Sequence, residues 1–199
     1  MKAAYNGSLT REQFLFYEIR TVALLLQEGL NREEIVVRIR QENLFQFPTE
    51  RMIDSITRTC FKRIDALGSD SLVYHLAYSS PSVAKQINLY AMMKYNHIVW
   101  DFMTTVIGEK YRTQDLELTR KDLNVFFFQL QEQIESVATW SDSTINKIKQ
   151  VLIRSLIECE YLDSVQDNTL NPIYIAPELE EVLRDVGDTA ALPAFNCFI

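Results

Sequence analysis

The sequence has 199 residues, 47% hydrophobic and 24% charged, a balance that excludes disorder as the overall state and allows a core held by packing alone. Twenty basic against 27 acidic residues leave a net charge of −7, which excludes indiscriminate polyanion binding through the whole surface. The excess acid is concentrated, because Met1 to Asp65 carries +1, Ala66 to Ser155 is neutral and Leu156 to Ile199 carries −8, so a local basic face on the first two segments survives.

Helical periodicity runs through almost the whole chain, punctuated by only five glycines and five prolines, and predicts a mostly α, multi-helical bundle. Thr10 followed by Gln13 has capping-box spacing, and the apolar positions Phe14, Ile19, Val22 and Leu26 predict a first helix ending at Gly29. Asn31 with Glu34 repeats the box ahead of a short helix with Ile35, Val36 and Ile39 on one face, ending near Asn43. After Phe47-Pro48, Thr49 can cap a third helix that places Ile53, Ile56, Cys60, Ile64 and Leu67 on one side before Gly68. Residues 1–68 therefore read as a three-helix unit.

Beyond Gly68 an apolar segment reaches Tyr78, and Ser79-Ser80-Pro81-Ser82 supplies a turn and N-cap for a helix through Ile87, Tyr90 and Ala91. The helix breaks near Asn96 and resumes to Gly108, with Trp100, Phe102, Met103, Val106 and Ile107 covering most of its circumference, so residues 69–112 read as central buried helices. A long helix is predicted from about Thr119 to Ala138, with Leu123, Phe126, Phe127, Leu130, Ile134 and Val137 in one stripe. Following the turn at Trp140-Ser141-Asp142-Ser143, another helix buries Ile145, Ile148, Leu152, Leu156 and Cys159. Tyr161-Leu162 and Ile173-Tyr174-Ile175, separated by Asp-Asn and Asn-Pro signals, predict a small β-hairpin. Pro177 starts a short helix through Leu179, Val182 and Leu183, and the remainder is a docked or loose tail. The order helix, turn, helix, hairpin makes residues 113–199 a winged helix-turn-helix-like region with an acidic tail, and the fold class a helical bundle with helix-turn-helix-like units and a C-terminal wing.

Catalytic signatures are sparse. His75 and His97 stand among apolar or amide neighbours, no phosphate-loop, dinucleotide, zinc-protease or serine-hydrolase string occurs, and the pairs Glu33-Glu34 and Glu180-Glu181 read as solvated helix faces. Cys60, Cys159 and Cys197 form no paired motif, which predicts free thiols in a reducing compartment. No apolar run is long enough to span a membrane. The expectation is a cytoplasmic, non-enzymatic protein without metal or cofactor.

Two faces are left as candidates for binding. At about 100° per residue, Arg51, Arg58 and Lys62 share a stripe on the third helix opposite its isoleucines, with Ser55 beside them and Arg63 farther round. Arg forks and a Lys point charge at that spacing suit phosphates, whereas Glu50, Asp54 and Asp65 nearby would make the same stripe an ordinary solvated face. On the helix after Trp140, Ser143, Asn146, Lys147, Gln150 and Arg154 line the exposed side, the residue types of a recognition helix, with Gln166 and Asn168 near the tip of the expected wing. Phe126-Phe127-Phe128 and Trp100 are candidate stacking platforms for single strands, but their helical spacing places most of these aromatics in the core.

The strings Phe14-Leu15-Phe16-Tyr17-Glu18, Gln41-Glu42-Asn43-Leu44-Phe45 and Ala84-Lys85-Gln86-Ile87-Asn88-Leu89-Tyr90-Ala91, followed by Asp101-Phe102, Phe126-Phe127 and Trp140-Ser141, give the chain a further identity. In their order and spacing the chain resembles the BrxA family of BREX phage-defence systems over nearly its whole length. The resemblance implies an all-helical, non-enzymatic component that binds double-stranded DNA, shares some similarity with the antitermination factor NusB, and works beside other BREX proteins. A protein-interaction scaffold docking through the acidic tail and an RNA-binding regulator are the alternatives.

Overall fold

Side-chain caps fix where most of the helices begin. The computed structural model describes residue 5 and residues 7–198. α1 spans Phe16–Gln27 and α2 spans Arg32–Gln41, the latter opened by a complete capping box in which the Asn31 side chain accepts from the Glu34 amide at 3.0 Å and the Glu34 carboxylate accepts from the Asn31 amide at 2.8 Å. Thr49 starts α3 (Glu50–Leu67), which ends where Gly68 turns into the left-handed region at φ 62°. Ser69 caps α4 (Asp70–Tyr78), Ser80 with Pro81 starts α5 (Pro81–Tyr95), and Asn96 ends α5 and starts α6 (His97–Asp101).

The chain continues from α6 through a wider π-type turn at Phe102–Ile107 into α7 (Gly108–Thr113). Thr119 and Asp122 close a second capping box ahead of α8 (Arg120–Gln133). Ile134, in extended backbone, ends α8 and separates it from the short α9 (Glu135–Ala138), so the long helix expected to Ala138 is divided. α10 (Asp142–Glu158) is capped by Ser141, and α11 (Pro177–Asp185) begins at its proline. The mostly helical prediction holds.

α5 is the central element. Ala84 and Gln86 through Met93 are buried around its whole circumference, and it packs against α3, α4, α6 and α1. Around it the buried side chains form one continuous cluster, from Leu9 and Ile19 through Phe102 and Phe127 to Leu183 and Phe195. The C-terminal segment is docked, because the 3₁₀ turn Thr189–Phe195 packs on the π-type turn and α7. Gly108 permits this approach, since a Cβ there would stand 3.0 Å from the Pro193 side chain and 3.2 Å from its backbone.

Two local expectations are corrected. Thr10 does not cap the first helix, because it sits in a 3₁₀ turn (Gly7–Thr10) where its hydroxyl donates to the Gly7 carbonyl at 2.9 Å. Leu15, at φ 53°, then bends the chain into α1. The β-hairpin wing is also absent, since the described residues contain no strand and only an isolated antiparallel bridge between Glu117 and Thr169. The apolar residues Tyr161, Leu162, Leu170 and Ile173 are buried without pairing as strands. The Asn171 amide donates to the Tyr161 carbonyl at 2.9 Å, but further bonds leave the segment, with Leu170 donating to the Leu116 carbonyl at 2.8 Å, Leu118 donating to the Asn168 carbonyl at 2.6 Å, and Tyr111 Oη donating to the Asn171 carbonyl at 2.6 Å. Among the described residues no helix is long and apolar enough to cross a membrane.

Candidate nucleic-acid interface

α3 turns Ile53, Cys60, Ile64 and Leu67 into the core and leaves Arg51, Ser55, Arg58 and Lys62 exposed on its outer line. The carboxylates that would neutralise this line are engaged from the other side. Asp65 pairs with Arg32 of α2, while Asp54 and Glu50 pair with Arg40 at 2.7 Å and 3.8 Å. Among the described residues Arg51, Arg58 and Lys62 form no ion pair, and Arg58 Nε only donates to the Asp54 carbonyl of its own helix at 3.2 Å. Arg58 and Lys62 also border a shallow groove floored by Val36, Val37 and Phe61, over whose ring the Arg32 guanidinium lies at 5.0 Å. Glu33 and Asp65 line the same groove, and the acids of α3 itself, Glu50, Asp54 and Asp65, are held by α2 arginines.

Arg63 does not belong to that row. It is 1% exposed, and its guanidinium donates to the carbonyls of Phe14 at 2.9 Å and of Glu12 and Gln13 at 2.7 Å each. Asn88 of α5 donates to the same Phe14 carbonyl at 2.7 Å. Arg63 therefore clasps the segment that leads into α1, satisfying carbonyls that no helix reaches. Burial lowers its pKa from the ordinary value, and burial likewise pushes the thiol of Cys60, on the same inward side of α3, up to about 12. A guanidinium so enclosed is out of reach of a phosphate.

On α10 the outer side forms as expected. Ser143, Asn146, Lys147, Gln150 and Arg154 are all exposed, opposite buried Ile145, Ile148, Leu152 and Leu156. Among the described residues Lys147 and Arg154 form no ion pair. Lys149, one position round, is occupied instead, lying 5.4 Å from the Phe127 ring centre with Nζ donating to Asn124 at 2.7 Å. With the wing absent, Gln166 and Asn168 are exposed on an irregular segment fastened to residues 116–118 rather than at a hairpin tip.

The 3₁₀ turn at Gly7–Thr10 links the two faces. It packs on α10, where a side-chain carbon at Gly7 would stand 3.7 Å from the Thr144 methyl. Its other side forms a cleft of about 650 Å³ against Met52, Ser55 and Ile56 of α3. Arg11 lines this cleft and is exposed. Sequence reasoning missed it because a single Arg beside Glu12, in what reads as the first turn of a helix, carries no pattern. Glu12 ties the cleft together, accepting from Ser8 Oγ at 2.8 Å and from Thr59 Oγ1 at 3.3 Å.

The histidines make local contacts. His75 Nδ1 lies 3.0 Å from the Ser79 hydroxyl and the His97 ring packs 5.9 Å from that of Tyr5. Among the described residues no cluster of His, Cys, Asp and Glu could hold a metal ion.

The BrxA family model matches residues 3–187. The chain is 32% identical over 185 residues to a BREX protein BrxA of Bacillus cereus (strain H3081.97), covering 92% of each chain. It is 24% identical over 184 residues to a BREX protein BrxA of Escherichia coli O9:H4 (strain HS), covering 92% of this chain and 86% of that one. In fold it is similar to the crystal structure of an uncharacterized protein from Magnetospirillum magneticum, with a TM-score of 0.81 at 23% identity over 97% of this chain and 98% of the other.

Proposed function

The chain belongs to the BrxA family, and from that premise we propose that it is a non-catalytic, double-stranded-DNA-binding component of a BREX bacteriophage-defence system. The observation that carries the DNA reading is the row Arg51, Arg58 and Lys62 on α3, exposed and without ion pairs among the described residues while Glu50, Asp54 and Asp65 face α2 arginines. Long cations spaced along one helix suit phosphate oxygens, which position a protein on a duplex without reading its sequence. α10 adds Lys147 and Arg154 for phosphate, with Asn146 and Gln150 able to meet base edges. Contacts dominated by phosphate make binding weakly sequence-selective and salt-dependent, and they are compatible with a net charge of −7 because the excess of acid over base lies in the C-terminal segment. Other BREX proteins are the expected partners.

The test is binding of the purified protein to a labelled random-sequence duplex at several salt concentrations, with RNA of equal length as competitor. About five engaged cations give a log-log salt slope near −4.5, and RNA does not displace the duplex. Absence of binding at low salt, or equal displacement by RNA, contradicts the reading.

A further inference from the structure

Among the described residues lining the cleft between the 3₁₀ turn and α3, Arg11 alone is cationic. Resting on the DNA-binding reading above, we propose that Arg11 is a phosphate-contacting residue of the same interface, and that this cleft seats the duplex backbone where it passes from the α3 stripe toward the N-terminal end of α10.

Position is the first argument. Ser55 belongs both to the cation stripe and to the cleft wall, so Arg11 borders the row formed by Arg51, Arg58 and Lys62. The turn carrying it abuts Thr144, next to Ser143 on the outer side of α10. The turn therefore touches both the helix that carries the stripe and the helix that carries the second face.

Rigidity is the second. Before Arg11 the turn is closed by the Arg11 and Glu12 amides donating to the Ser8 carbonyl at 2.9 Å and 3.1 Å. After it, the carbonyls of Glu12, Gln13 and Phe14 are clasped by Arg63. The backbone on both sides of Arg11 is therefore fixed, which reduces the ordering that a phosphate contact would cost. The Arg11 side chain forms no ion pair among the described residues, leaving its fork of donors available.

The anion in the cleft is the third. Glu12 would repel a phosphate, but its carboxylate is occupied by the Ser8 and Thr59 hydroxyls and feels the buried Arg63 cation. Arg11 and Ser55 are both exposed where they line the cleft.

The experiment compares the full chain with its Arg11→Gln and Arg11→Lys variants, using the random-sequence duplex across salt, and with Arg112→Gln as a control. Arg112 pairs with Glu109 at 2.6 Å on α7, so this control removes the same formal charge outside the interface. Arg11→Gln should weaken binding about three- to tenfold near physiological salt and make the slope shallower by about 0.9, one phosphate's worth. Arg11→Lys should restore the slope, and Arg112→Gln should change neither. A duplex-binding parent whose Arg11→Gln variant keeps its affinity and slope overturns this inference and leaves the DNA reading standing, as does failure of Arg11→Lys to restore the slope. A parent that does not bind the duplex overturns both.

Discussion

α2 and α3 lie side by side, each carrying several basic residues, and they use them in opposite ways. On α2 every one is matched, with Arg32 on Asp65, Arg38 on Glu28 and Glu42, and Arg40 on Glu50 and Asp54. On α3, among the described residues, none has a carboxylate within ion-pair distance. Arg51, Arg58 and Lys62 face water, and Arg63 is buried on three backbone carbonyls. The comparison teaches that formal charge is a poor guide to binding until each acid is assigned a partner. A segment at only +1 can present a row of unmatched cations when a neighbouring helix holds the intervening acids.

The largest effect breaks the comparison inside α3. Arg63→Met leaves the Glu12 and Gln13 carbonyls without their donor and the Phe14 carbonyl with Asn88 alone, and should destabilise the protein by on the order of 4 kcal/mol, read as a lower denaturation midpoint. A loss below about 1 kcal/mol would mean that the clasp does not hold the N-terminal segment. Next, Arg58→Glu with Lys62→Glu should weaken duplex binding by roughly two orders of magnitude and make the salt slope shallower by about 1.8. The melting temperature should hardly move, because both side chains are exposed; unchanged affinity would remove the stripe from the interface.

Smaller effects sharpen the contrast. Ser141→Ala deletes the α10 cap and should cost about 1 kcal/mol, with a proportionate loss of DNA affinity only if the α10 face contributes. Acid should reveal which charges are matched. Burial alone would raise the pKa of Asp188, yet hydrogen bonds from Lys94 and Tyr90 hold it below the ordinary carboxylate value. A depressed folded-state pKa contributes stability above the unfolded value of about 4, and that contribution disappears as pH falls through the folded value. Asp188→Asn should therefore flatten the acid limb of the stability profile, and an unchanged limb would contradict the assignment. Smallest of all, Arg38→Ala removes exposed α2 pairs and should alter stability by less than about 1 kcal/mol, with duplex binding unaltered.

Much of this was legible in the sequence because it is local. The Asn31 and Glu34 box, the Thr49, Ser80 and Ser141 caps and the outer lines of α3 and α10 all depend on residues within a few turns of one another. What was not legible depends on distant partners. Arg63 sits about 100° round from Lys62, and only the carbonyls of residues 12–14, far away in sequence, decide that it points inward. The expected wing failed for the same reason: Tyr161-Leu162 and Ile173-Tyr174-Ile175 look like strands, but the Ile173 and Tyr174 carbonyls accept from the Asn196 and Gln86 side chains, and Asn168 and Leu170 between the runs bond to residues 116–118. Arg11 gained meaning only when the turn before it was seen between α3 and α10.

The most direct test measures the duplex-binding salt slope of two charge-neutralised proteins beside the parent. One carries Arg51→Gln, Arg58→Gln and Lys62→Gln on α3, and the other, a control, carries Arg38→Gln, Arg112→Gln and Arg184→Gln, whose partners Glu28, Glu42, Glu109 and Glu180 are not the acids beside the stripe. With equal charge removed from each, the α3 protein's slope should become shallower by about 2.7, and the control protein should retain the parent's slope. Equal loss from both would contradict the central claim, because binding would then follow total charge rather than the unmatched row on α3.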